Sequence, residues 1–226
     1  MLHAAVKNNA IEIARFLMED GADVHDTSNA GETPLYIAAE GGYIEIAKLL
    51  LEHGADVHAR NRYDSTPLHI AAMRGHTDIA MLMLEHGADV HARDNGGKTP
   101  LHYAAMHGRT ETATPLLEHG ADAHACDNDG MTPLHIAAKG GYIEIAKLLL
   151  ENGADVHARN DDGDAPLHYA ANSGHIEFAK LLLEHGADVH ACNKDDNTPL
   201  RYATKKGHKE IAKFLAAHAI QAAPTN

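Results

Sequence analysis

The chain has 226 residues and a formal net charge of −13, with only 19 Lys and Arg against 32 Asp and Glu. So acidic a balance excludes a nucleic-acid surface, because phosphate binding needs a basic stripe. No apolar run approaches the roughly 18 residues that suggest a membrane span, and the opening residues read directly as helix with no signal-peptide pattern.

From the start the elements repeat. Leu2-His3-Ala4-Ala5 opens a first helix, and the same phrase returns behind Thr-Pro every 33 residues, with its Pro at 34, 67, 100, 133, 166 and 199. The run Gly-Ala-Asp keeps the same step, beginning at Gly21, Gly54, Gly87, Gly120, Gly153 and Gly186. A fixed period of this length marks a repeat array, whose units are each too small for a core and share one by stacking. Seven units are expected, at about 1–27, 28–60, 61–93, 94–126, 127–159, 160–192 and 193–220. They form one domain over 1–220, with a short tail at 221–226. Segments 33–61 and 132–160 are near-copies, differing only at Tyr36/His135, Glu40/Lys139 and His53/Asn152.

The fifth unit shows why each should fold alike. Thr132 suits an N-cap, and Pro133 suits the first helical position, where a missing N–H costs nothing. His135 stands three residues after the cap, where its ring can reach back as Glu does in a capping box. Gly140-Gly141 end this Ala-rich helix. A second, amphipathic helix follows over Tyr142–Glu151. Gly153 stops it, and Asp161-Asp162-Gly163 supplies turn chemistry for a tight hairpin.

Some units break the pattern. Ala165 stands where the cap Thr belongs, a loss of about 1 kcal/mol. Asp64 and Asp196 replace a turn Gly. Pro115 takes a helix position held elsewhere by Leu49, Leu82, Leu148 and Leu181, at roughly 3 kcal/mol if it is interior. Cys126 and Cys192 lie two repeats apart, so helix-layer spacing puts them about 16–20 Å apart, beyond disulfide reach. Thiols of this kind favour a reducing compartment.

The phrases Thr66–Ala72, Thr99–Ala105 and Thr132–Ala138 (T-P-L-H-x-A-A), with Leu-Leu-Glu-x-Gly-Ala-Asp-Val runs closing the repeats, closely resemble the ankyrin repeat. The resemblance covers residues 2 to about 220. It implies an all-α solenoid of stacked helix-turn-helix units with projecting β-hairpin fingers. It also implies protein binding through the surface made by fingers and first helices. The display positions are two finger residues, the residue before Thr-Pro, and the last two of the first helix. Arg62, Tyr63, Ser65, Met73, Arg74, Lys98, Met106, His107, Met131 and Lys139 are the expected contacts, because Tyr, Met and Arg are enriched in interface cores. The same positions of the second and sixth units carry small or charged residues, such as Asn29, Glu40, Asp162, Asp164 and Asn172, which anchor poorly. Tyr63 does not recur at the 33-residue step, so it is not a framework residue.

The 20 histidines invite a metal reading. Rings that recur once per repeat are about 10 Å apart and cannot share one ion, whose ligands sit about 2 Å away. No metal or cofactor is expected. No phosphate loop, zinc-protease motif or nucleophile elbow occurs, so no catalytic residue and no enzyme activity are expected. Lys205, Lys206, Lys209 and Lys213 read as the polar face of a terminal cap. The expectation is a non-catalytic, monomeric protein-binding scaffold in the cytoplasm or another intracellular compartment (the host cytosol, if it is a secreted effector), with no nucleic-acid or membrane partner. The alternative is a structural spacer, or a segment of a larger adaptor or effector whose active domain is absent.

Overall fold

A computed structural model describes residues 1–221. They divide into two compact units, and the division falls inside the fourth repeat.

The first unit covers 1–104 and 111–122. It begins with α1 (Leu2–Lys7), α2 (Ile11–Glu19), α3 (Pro34–Gly41), α4 (Ile44–Glu52), α5 (Pro67–Arg74) and α6 (Thr77–Glu85). First helices stack on first helices, α1 on α3 on α5, and second on second, α2 on α4 on α6. Of the fourth repeat, α7 spans Pro100–Met106 and α8 spans Thr110–Glu118.

The second unit covers 105–110 and the chain from 123 on. It holds α9 (Pro133–Gly140), α10 (Ile143–Glu151), α11 (Pro166–Ser173), α12 (Ile176–Glu184), α13 (Pro199–Lys206) and α14 (Lys209–Gln221). The same two rows form, α9 on α11 on α13 and α10 on α12 on α14. The helix α14 runs through Gln221; the rest of the expected tail, 222–226, lies outside the described residues.

Local chemistry explains the repetition. Thr132 is extended at φ −86°, ψ 165°, and Pro133 opens α9 behind it. Ala137 and Ala138 are fully buried, so the neighbouring helix comes close. Gly141 caps α9 at φ 73°, and a Cβ there would stand 2.8 Å from the His175 ring of the next repeat. Glycine is thus required twice over, for the left-handed backbone and for the ring that covers it. In the second helix Ile145, Ala146 and Leu149 are buried, while Glu144 and Lys147 pair at 2.9 Å on the wet side.

The fingers are tight turns. Asn61 Oδ1 accepts from the N–H groups of Tyr63 (2.9 Å) and Ser65 (3.1 Å), and Asp64 completes the turn at φ 59°. Asn160 and Asn193 hold their own fingers in the same way. Neighbouring tips share single backbone bonds, such as Arg62 N–H to Ala30 O at 3.1 Å and Lys194 N–H to Asp162 O at 3.0 Å. One bond per pair does not make a ladder, and no strand forms among the described residues. Pro115 is interior, yet α8 keeps the nine residues of α6 and α10.

Candidate interaction surface

The histidines sort into structural rows. His69, His102, His135 and His168 are 0–1% exposed. In each, Nδ1 accepts from the backbone N–H of the cap residue at 3.0–3.1 Å. Nε2 meets a carbonyl 29 residues further on: Lys98 O for His69 (3.1 Å), Asp164 O for His135 (3.0 Å) and Asn197 O for His168 (3.0 Å). His3 reaches Glu32 O likewise. A carbonyl can only accept, so in His69, His135 and His168 the proton sits on Nε2 and Nδ1 is bare. Each ring therefore caps its own helix and ties it to the next repeat. Burial, opposing charge, pushes His69 and His135 down to about 4 and lowers His168. At Ala165 the backbone half of the cap survives through His168, although the hydroxyl half is lost.

The other rows are also structural. His76, His175 and His208 reach first-helix carbonyls of the preceding repeat, Glu40 O, Lys139 O and Asn172 O. His53, His86, His119 and His185 reach the carbonyl four residues back through Nδ1, and at Asn152 the side-chain amide does so at 2.8 Å. The His53/Asn152 difference lies on the exposed surface and exchanges one helix-end donor for another. The row after Gly-Ala-Asp, such as His58 and His157, is exposed; there a backbone N–H donates to the Asp two residues back. Among the described residues no group of three or more His, Cys, Asp or Glu could hold a metal ion.

A row of tyrosines stands edge-on to the capping rings. Tyr103, Tyr169 and Tyr202 lie 5.8–5.9 Å from His69, His135 and His168. Tyr103 donates to Asp94 at 2.6 Å, and its hydroxyl is pushed up by burial and by that carboxylate. Burial and Asp164 raise Tyr169 to about 12. Asp164 is buried and accepts from Asn193 Nδ2 (2.9 Å) and Tyr202 (3.3 Å). It is a latch between finger and first helix, which corrects the expectation that it is displayed. The sequence signal was available: these tyrosines follow the capping His at a constant 34 residues.

The ten expected contact residues fall in both units. Arg62, Tyr63, Ser65, Met73, Arg74 and Lys98 belong to the first; Met106, His107, Met131 and Lys139 belong to the second. Tyr63 is 60% exposed at a finger tip, with the Arg62 guanidinium 5.9 Å from its ring centroid. Arg74 is exposed and pairs with Glu40 at 2.6 Å. His107 and Lys139 are also exposed. Ser65, Lys98, Met131, Met73 and Met106 are half-buried, so the position before Thr-Pro is shared between framework and surface.

A family model described as ankyrin repeats (3 copies) matches residues 1–61, 56–126, 93–160 and 153–226. The chain belongs to the ankyrin-repeat family, and its fold is the all-α repeat solenoid of that family. Ankyrin repeats are generally protein-interaction modules and typically non-catalytic. Comparison with curated proteins gives no match. No helix among the described residues is long and apolar enough to cross a membrane.

Proposed function

We propose that this chain is a non-catalytic scaffold that binds a partner protein inside the cell, with its strongest contacts in the third to fifth repeats. The observation that carries the reading is Tyr63. A large aromatic ring left 60% exposed at a turn tip contributes little to the fold. Its counterparts one and more periods away are Ala30, Gly96, Asp129, Asp162 and Asp195, so the turn closes without it. Exposed Tyr and Arg side by side, as Tyr63 stands with Arg62, have the composition of binding hot spots. Met73, Met106 and Met131 add adaptable apolar area, while Lys98, His107 and Lys139 supply a polar rim.

A pull-down from cell extract tests this. Tyr63→Ala with Arg74→Ala should weaken capture of the bound protein by at least about 2 kcal/mol, or some thirtyfold, without lowering the melting temperature. Asp162→Ala with Asn172→Ala should have much less effect. Equal losses from the two pairs would move the site elsewhere.

A further inference from the structure

In the second unit a cavity of about 130 Å³ opens between α11 and α13, lined by Asp164, His168, Tyr169, Asn172 and Tyr202. Departures from the period create it. Tyr169 and Tyr202 stand in successive repeats, whereas the same position is Ile37, Ile70, Tyr103 and Ile136 earlier in the chain. No other two tyrosines of this row are neighbours. Asp164 stands where Glu32, Ser65, Lys98, Met131 and Asn197 stand. The framework thus accepts an apolar, neutral or basic side chain at that place and does not call for a carboxylate.

Asp164 is only 7% exposed. Its two oxygens accept from neutral groups, Asn193 Nδ2 and the Tyr202 hydroxyl. Among the described residues no cation pairs with it. Lys205 and Lys206 of α13 are exposed, and Arg159 donates instead to the carbonyls of Gly163 and Cys192. A carboxylate taken out of water without a cation costs free energy. Burial, then Asp164 and Asp162, push both the Tyr169 and the Tyr202 hydroxyl up, and Asp195 adds to this at Tyr202. The charges that weigh most on the cavity are therefore negative.

The donor set does not suit a metal. His168 gives its Nε2 proton to Asn197 O, and its Nδ1 accepts from Ala165 N–H, which leaves Asp164 without a second ligand. A drug-sized ligand needs a cavity of about 300 Å³ or more, so this one takes a single side chain. We propose that it receives an arginine side chain of a bound peptide, the guanidinium pairing with Asp164 and lying against the rings of Tyr169 and Tyr202, with Asn172 Oδ1 as a further acceptor. Arginine fits better than lysine because its flat, weakly hydrated head stacks on aromatic faces and carries its donors in a fixed fork. The cavity belongs to the second unit and Tyr63 to the first. It takes a ligand of its own, and the proposal does not rest on the reading of Tyr63.

Titration of the purified 226-residue chain with Nα-acetylarginine methylamide, followed by nuclear magnetic resonance, tests the proposal. Amide shifts should saturate in the millimolar range and centre on 164–172 and 202. The lysine analogue should bind several-fold more weakly, and the citrulline analogue, which has the shape without the charge, should not bind. Asp164→Asn should weaken binding about tenfold or more. Tyr169→Ile, which restores the residue of the fifth repeat, should weaken it about threefold. Circular dichroism like the parent's verifies that both variants fold. Tyr63→Ala with Arg74→Ala should leave the titration unchanged. Shifts that do not saturate, or that spread evenly over the acidic surface, overturn the proposal. So does equal binding of the lysine or citrulline analogue, or an Asp164→Asn variant that binds as tightly as the wild type.

Discussion

A single imidazole performs three tasks in this protein. In His135 it caps its own helix at Thr132, bridges to Asp164 O in the next repeat, and presents its edge to Tyr169. The cap requires the neutral ring, whose bare Nδ1 accepts from Thr132 N–H, and burial disfavours the charged form as well; together these set the response to acid. His69 and His135 fall from the ordinary 6.5 to about 4 in the fold. Between these values the unfolded chain binds more protons than the folded one, so stability is lost as pH falls through that window. Above pH 6.5 the contribution is complete; by pH 4 each of these two rings has forfeited roughly 3 kcal/mol. The melting temperature is predicted to hold steady above pH 6.5 and to drop steeply below it. His69→Gln with His135→Gln should flatten that drop, although it lowers stability at neutral pH. A wild-type melting temperature level down to pH 5 would contradict this account. The capping role was legible in the sequence, because a His three residues after Thr-Pro has few other uses. The carbonyl 29 residues away was not, since that contact depends on how repeats stack.

At the scale of the helix, the departures from pattern are absorbed rather than propagated. Asp64 and Asp196 take the left-handed turn of a glycine, at φ 59° and 55°. Pro115 lies inside α8 without shortening it. It still removes one backbone donor from a helix in which Ala113 and Leu116 are fully buried. Pro115→Leu is therefore predicted to raise the melting temperature and to slow amide exchange across 110–119. Exchange in the wild type should be faster there than across 143–151, where α10 has an unbroken bond series; equal protection would remove Pro115 as a weak point. The two helices of the fifth repeat were readable from sequence to within a residue at each end, because Thr-Pro and Gly punctuate them. The fingers were less so. Turn residues announce a hairpin, but only backbone pairing decides whether a strand forms, and here each tip has a single bond to its neighbour.

Over the whole molecule, the period made the fold legible and partly hid the site. Positions that vary between repeats look like display, yet variation has two sources. Glu40 and Lys139 reverse the charge at the end of a first helix, whereas His53 and Asn152, also exposed, differ while making the same bond. Asp164 looked like a finger carboxylate because it stands where Lys98 and Met131 stand; its burial comes from Asn193 and Tyr202, on the following repeat. Tyr63 stands out in the sequence because it breaks the period at a turn, where nothing in the framework calls for a ring.

The near-copy of 33–61 at 132–160 makes the chain editable. Removing residues 62–160 joins Asn61 to Asp161 and leaves the first, second, sixth and seventh repeats in phase. The sixth repeat then meets a neighbour almost identical to the one it has lost. One tie goes: Tyr36 stands in for His135, so the bond to Asp164 O is given up. The His175 contact needs only a backbone carbonyl, which Glu40 supplies as well as Lys139. The shortened chain is predicted to fold cooperatively with helical circular dichroism, at a lower melting temperature than the parent. Tyr36→His in that background should recover part of the difference by restoring the ring. A shortened chain that is unfolded even with Tyr36→His would show that the repeats are not interchangeable. If they are, a recombination event three repeats long passes through this gene as a change of length rather than a loss of protein.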